Sequence, residues 1–176
     1  NIENQIIELA LRAGRQQKVK KILSNRANQG DYSAAIIAPL TEILFENNEL
    51  EQAKKLLVKA IEIDRNDPSL LTNLAIVETE LGNYQIADRL HEEVIQKRPN
   101  EFLGYYNHSK FKLATGNPDA AEALLQKADS IVKNTKESKE LQRLINEYKG
   151  NSESELAKAY ASVSYTHLRA HETRIH

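Results

Sequence analysis

The residues with the plainest chemistry are five histidines, and three of them fall together near the end of the chain. His167, His171 and His176 lie within the closing stretch SVSYTHLRAHETRIH. His167 and His171 stand four apart, so a helix would set both imidazoles on one face, as a zinc pair requires. Glu172 follows His171 directly instead of standing between two histidines as in the metalloprotease pattern. The chain has no Cys to complete a structural site, so metal binding is the weaker reading and no cofactor is expected. For His91 and His108, packing with a satisfied ring nitrogen outweighs catalysis. No Ser/His/Asp set, glycine-rich phosphate loop or zinc spacing appears. The chain is therefore expected to be non-enzymatic.

The remaining charged groups read as solvated helix faces. Glu51 and Lys55, for example, are four apart in the favourable order. The string Arg12, Arg15, Lys18, Lys20, Lys21 and Arg26 is the nearest approach to a basic patch, but it lacks interleaved aromatics. Net charge is -1, with 28% charged and 40% apolar residues, which is globular and suggests neither a nucleic-acid nor a membrane partner. No apolar run approaches the roughly 20 residues needed to span a bilayer, so a soluble chain is expected, with the cytoplasm the favoured compartment. Asn107-His108-Ser109 matches a glycosylation triplet but falls inside a helical pattern.

These side chains must be positioned by something, and the sequence shows what. Gly14, Asn48, Gly82, Gly116 and Gly150 are spaced by 34 residues each time. Five residues beyond the first four stand Val19, Ala53, Ala87 and Ala121. Gly or Asn fits a left-handed residue that ends one helix and turns the chain back. The small residue after it fits a close approach of two helices. Leu70, Leu71, Leu74, Val77 and Leu81 follow a helical 3-and-4 spacing, as do Ile86, Ala87, Leu90 and Val94. Leu50, Ala53, Leu56, Leu57, Ala60 and Ile61 line another face. Pro68, Pro99 and Pro118 fall at helix starts or between helices, and no strand signal is present.

With these residues in place the chain resembles a tetratricopeptide-repeat array, whose units are antiparallel helix pairs. Pro68–Glu101 supplies Leu71, Leu74, Ala75, Gly82, Ala87 and Pro99 in the family's pattern, and departs from it with His91 in a bulky slot and Val94 in an Ala slot. Ala34–Asp67 supplies Ile37, Leu40, Asn48, Ala53, Leu57 and Ala60, with Thr41 in the small slot and Arg65 in place of Pro. Phe102–Thr135 supplies Tyr105, Ser109, Gly116, Ala121, Leu125 and Ala128, with His108 where Leu is usual. Residues 1–33 form a partial repeat carrying Ile6, Gly14, Val19 and Leu23. Residues 136–161 keep Gly150, but Leu141, Leu144, Ile145 and Tyr148 are out of phase, as in a degenerate repeat or capping helix. The fold class implied is all-α, an α-solenoid whose core is shared between neighbouring units.

The resemblance places a ligand groove on the concave face formed by first helices. It implies Glu42, Phe45 and Glu46 from the second unit, Thr72, Asn73, Ile76, Thr79 and Glu80 from the third, and Leu103, Tyr106, Asn107, Lys110 and Leu113 from the fourth. Asn73 and Asn107 are 34 apart in a slot where the family often places an asparagine that binds a peptide backbone. A carboxamide can satisfy both the N–H and the C=O of an extended peptide. The alternative is that Asn there is a common, solvent-tolerant residue of the fold. Pro39 and Gln5 hold the corresponding slots in the earlier units. The family's carboxylate clamp is not matched, since only Lys110 is suitably placed, and Glu42, Glu46 and Glu80 disfavour an acidic tail. With Phe45, Ile76 and Tyr106 as apolar anchors, the implied partner is a protein or peptide, as a neutral or basic extended segment.

Val163 to Thr173 is similar to the conceptual translation of a transposase-type sequencing-library adapter, and Ser162 is compatible with it. Residues 162–176 are therefore expected to be a non-native tail. The chain opens at Asn1 and holds no Met, so a fragment of a longer reading frame is expected, with fraying at 152–160. Two functional classes remain: a protein-interaction scaffold, or the repeat region of a larger glycosyltransferase or sulfotransferase.

Overall fold

The computed structural model describes residue 10, residues 14–133 and residues 135–150. Eight helices are present among them: α1 Gln16–Asn28, α2 Ala34–Glu46, α3 Leu50–Ile63, α4 Pro68–Glu80, α5 Tyr84–Lys97, α6 Phe102–Ala114, α7 Pro118–Ile131 and α8 Lys136–Gly150. The described residues contain no strand. Successive helix pairs begin at Ala34, Pro68, Phe102 and Lys136, keeping the period read from the turns. The chain is an all-α solenoid of helix-pair repeats.

One turn chemistry ends the first helices. Asn48, Gly82 and Gly116 sit at φ 60°, 79° and 80°, the left-handed region that a side chain resists. Each reversal is closed by a bond across the turn: Glu49 N to Leu44 O at 2.7 Å, Asn83 N to Glu78 O at 2.8 Å and Asn117 N to Lys112 O at 2.8 Å. These bonds satisfy carbonyls that the helix end leaves without partners. Helix starts are equally local. Asp67 accepts from Ser69 N at 2.8 Å ahead of Pro68, and Asn117 accepts from Ala120 N at 3.2 Å ahead of Pro118. Ala53, Ala87 and Ala121 are fully buried, as a close helix approach demands.

The chain divides into two compact units, Asn1–Leu90 and His91–His176, with the boundary inside α5. In the first unit α2 packs against α1, α3 and α4. Its core runs through Val19, Leu23, Ile37, Leu40, Leu44, Leu57, Leu70 and Leu74. In the second unit α7 packs against α6 and α8, around Tyr106, Leu113, Leu125, Leu141 and Ile145. Gly104 lets α6 approach α5: a Cβ there would stand 3.4 Å from Val94 Cγ1 and 3.5 Å from Ile95 Cγ1.

One feature departs from the sequence reading. Gly150 is the last residue of α8 and does not take the left-handed turn of the other period positions. Pro39 lies inside α2, where it removes one intrahelical bond, and the helix continues on the strength of six buried residues of its own. The adapter-like tail 162–176, the tail histidines and the expected fraying at 152–160 lie outside the described residues.

Helix α8 is tied to α7 by charge. Lys149 Nζ lies 2.8 Å from Asp119 Oδ1 and 2.6 Å from Glu122 Oε2. The hydrogen bond from Lys149 holds the Glu122 carboxyl below its ordinary range, while Asp119 and then Glu122 raise the Lys149 ammonium above its own. A lowered carboxyl contributes stability above its ordinary value of about 4.3 and loses it as pH falls through the folded value. A raised lysine contributes below about 10.4 and loses it as pH rises through the folded value. Lys149→Met should therefore lower the thermal midpoint at pH 7, and the difference from the wild-type chain should vanish at pH 2. A difference that persists in acid would show that the loss is one of packing.

At the turns, no atom lies within 4 Å of a Cβ built on Gly82, so Gly82→Ala tests the backbone alone. It should destabilise by about 1–2 kcal/mol, while Asn48→Gly should be neutral or stabilising. Urea denaturation followed by helicity checks both, and equal losses at the two positions would contradict the shared turn.

Candidate functional site

First and second helices are buried differently. The second helices α3 and α7 each bury one narrow stripe, Ala53, Leu57 and Ala60 in α3 and Ala121, Leu125 and Ala128 in α7. The first helices α4 and α6 are buried around most of their circumference: Leu70, Leu71 and the run Leu74 to Thr79 in α4, and Gly104, Tyr106, His108 to Phe111 and Leu113 in α6. A helix buried nearly all round is an inner element. What it leaves accessible is a thin strip.

In the first unit the strip of α2 consists of Ala35, Ala38, Pro39, Glu42, Phe45 and Glu46, and that of α4 of Ser69, Thr72, Asn73 and Glu80. Because α2 and α4 pack directly, their accessible residues adjoin, while Ile76 and Thr79, also expected on this face, are buried. Glu46 and Glu80 are exposed, and Glu42, Thr72 and Asn73 half-buried. Glu46 accepts a hydrogen bond from Gln16 Nε2. Phe45 is half-buried against the core, and Ile76 is only 9% exposed. Asn73 Nδ2 lies 3.4 Å from both Ala38 O and Thr41 Oγ1, so its carboxamide bridges the two first helices. Thr41 Oγ1 in turn donates within α2 to Ile37 O and Ala38 O, each at 2.9 Å.

In the second unit Asn107 is half-buried and Leu103 is 44% exposed. Tyr106 is 1% exposed and stacks on Phe102, with ring centroids 5.3 Å apart. Lys110 is 6% exposed, its Nζ 5.4 Å from the Tyr106 ring centroid. Both side chains are buried, contrary to their expected place on an open groove. The glycosylation triplet lies within α6 with Ser109 fully buried, its hydroxyl donating to Ala121 O at 2.6 Å.

His91 and His108 are core residues. They are 1% and 4% exposed, their rings stack with centroids 5.4 Å apart, and Phe111 leans on both. His91 Nε2 and His108 Nδ1 make no hydrogen bond among the described residues, although both residues are engaged through other interactions. Packing is as the sequence suggests, but those two nitrogens are not satisfied. The described residues hold no group of three or more His, Asp or Glu able to bind a metal. No helix among them is long and apolar enough to cross a membrane. Within the basic string, Lys20 pairs with Glu49 and Arg26 with Asp31. The Ser33 hydroxyl and N–H, and then Arg26, hold the Asp31 carboxyl below its ordinary range.

Glu78 escaped the sequence reading. It is 3% exposed, 2.9 Å from Lys54 Nζ of α3, and accepts from Asn83 Nδ2 at 2.7 Å. It thereby joins α4 to α3 and to the turn that follows. The signal was present only as a carboxylate one residue past Val77 on a mostly apolar helix.

Comparisons with known proteins agree with this architecture. Residues 42–67 and residues 69–98 match family models described as Tetratricopeptide repeat. No curated protein matches the chain in sequence. Among solved structures, YrrB, described as a TPR protein with an unusual peptide-binding site, is similar at TM-score 0.65 and 16% identity, over 78% of this chain and 71% of that one. MamA from Desulfovibrio magneticus RS-1 is similar at TM-score 0.65 and 15% identity, over 97% and 93%. The first TPR of Spaghetti (RPAP3), bound to the HSP90 peptide SRMEEVD, gives 0.58 and 16%, over 67% and 94%. At these identities the likeness is one of fold.

The Glu78 pairing carries an asymmetric expectation, because its side chain is 4% exposed and that of Lys54 is 32% exposed. Lys54→Met strands a buried carboxylate and should cost about 2–4 kcal/mol. Glu78→Gln keeps the hydrogen-bonding shape and leaves a half-exposed ammonium that water can reach, so it should cost about 1 kcal/mol. Denaturant midpoints of the two variants decide. The reverse order would contradict this account of Glu78.

Proposed function

We propose that this chain, which carries tetratricopeptide repeats within a helix-pair solenoid, is a non-catalytic scaffold that recruits an extended protein or peptide segment along its first helices. The observation that carries the reading is the strip on α2 and α4. It holds the polar side chains Glu42, Glu46, Thr72, Asn73 and Glu80 and the half-buried Phe45 on adjoining helices whose other faces, Ile76 included, are already buried. The second unit, taken by itself, offers half-buried Asn107 and exposed Leu103 on α6, while Tyr106 and Lys110 are buried. The solved structures of this fold with a peptide-binding site or a bound peptide support it.

The physical basis is that packed helices offer a preformed surface, so a bound segment alone bears the ordering cost. A neutral or basic segment suits the carboxylates on α2 and α4. Half-buried Phe45 supplies the apolar contact.

Selection from a random-sequence displayed peptide library on the full chain tests this reading. Enriched peptides should lose most of their affinity for the double variant Asn73→Ala with Asn107→Ala, whose helicity should match the wild-type chain. Enrichment indifferent to both substitutions would place binding elsewhere, and a library with no enriched peptide would contradict the scaffold.

A further inference from the structure

Pro39 is the anomaly of the accessible strip. It stands in the second turn of α2, where proline breaks the hydrogen-bond ladder and costs stability. The nitrogen of residue 39 carries no hydrogen, so the carbonyl of Ala35, four residues earlier, has lost its helical donor. Neighbouring carbonyls are treated differently. Thr41 Oγ1 donates to Ile37 O and Ala38 O, and Asn73 Nδ2 faces Ala38 O from α4. Among the described residues no side chain donates to Ala35 O.

Both ends of the missing bond lie on the surface that α2 leaves accessible. Ala35 is exposed and Pro39 half-buried, with half-buried Ala38 between them. Alanine side chains stop at Cβ, so a bound chain can approach the backbone of α2 closely here. A local rule broken at an accessible position is the kind of breach that functional sites carry.

The chemistry of the acceptor names its partner. A carbonyl oxygen accepts and cannot donate, so the partner must bring a donor. The first turn of α2 contains no acidic residue, and a helix N-terminus carries partial positive charge. An ammonium or guanidinium would find no counter-charge at this end of the strip. A neutral backbone N–H, which an extended peptide offers at every residue except proline, suits it.

We propose that the Ala35 carbonyl, released by Pro39, accepts a hydrogen bond from a backbone N–H of the segment bound along α2. The inference rests on the scaffold reading above, and it gives Pro39 a role in setting the register of the bound chain.

Fluorescence anisotropy on the full chain tests it with the tightest peptide from the random-sequence library. The peptide is labelled and made as a series, with one backbone nitrogen methylated at a time. Pro39→Ala returns an N–H to residue 39, which should occupy Ala35 O from within the helix. The variant should unfold at higher urea concentration than the wild-type chain, yet bind the unmethylated peptide about three- to tenfold more weakly. One N-methyl position should weaken binding to the wild-type chain by a similar factor and cost nothing further in Pro39→Ala, the coupling that a shared bond requires. Undiminished affinity of Pro39→Ala, N-methyl losses that add to it at every position, or a variant less stable than the wild-type chain would each overturn the inference. The two readings fail separately. A peptide that enriches and binds both forms equally removes only the role of Ala35 and Pro39, whereas a library without any enriched peptide removes the scaffold and this inference together.

Discussion

Everything in this molecule depends on a reversal that a side chain resists. At the end of each first helix in the middle of the array, one residue enters the left-handed region, Asn48 at φ 60°, Gly82 at 79° and Gly116 at 80°. A bond across the turn then fixes the direction of return. Because the reversal is the same each time, the second helix always comes back against the first. The residue at the point of approach must then be small, and Ala53, Ala87 and Ala121 are fully buried. From this one constraint follow the period, the layering and the accessible strip.

That layering explains why so little of α4 and α6 is exposed. An inner helix touches its own partner and its neighbours, so only a few positions remain accessible. On α4 these include Thr72, Asn73 and Glu80; on α2, Glu42, Phe45 and Glu46. Residues such as Thr41, which accepts from Asn73, and Glu78, which pairs with Lys54, are the opposite case, committed to holding helices together.

Much of this was legible in the sequence, for a physical reason. Turn residues, proline at helix starts and apolar spacing are local signals, and Asn48, Gly82, Pro68 and Pro118 behave as their types require. Helix α8 shows the limit of such signals, since Gly150 at the period position stays helical. The site was legible only in outline. An aromatic expected on the groove side of a first helix reads as an anchor, but Tyr106 is 1% exposed because Phe102 and neighbouring core residues cover it. Ile76 is drawn inward in the same way. The direction of the Asn73 amide is a property of a neighbouring helix, the carbonyl of Ala38, and no reading of α4 alone contains it. The pairing of Glu78 with Lys54 is likewise a tertiary fact.

The most direct test of the scaffold is hydrogen–deuterium exchange of the full chain with and without a peptide selected on it. Capture along the first helices predicts slowed exchange in 34–46, 68–80 and 102–114, with little change in 50–63 and 118–131. Slowed exchange concentrated in those second helices, with the first helices unchanged, would contradict the account.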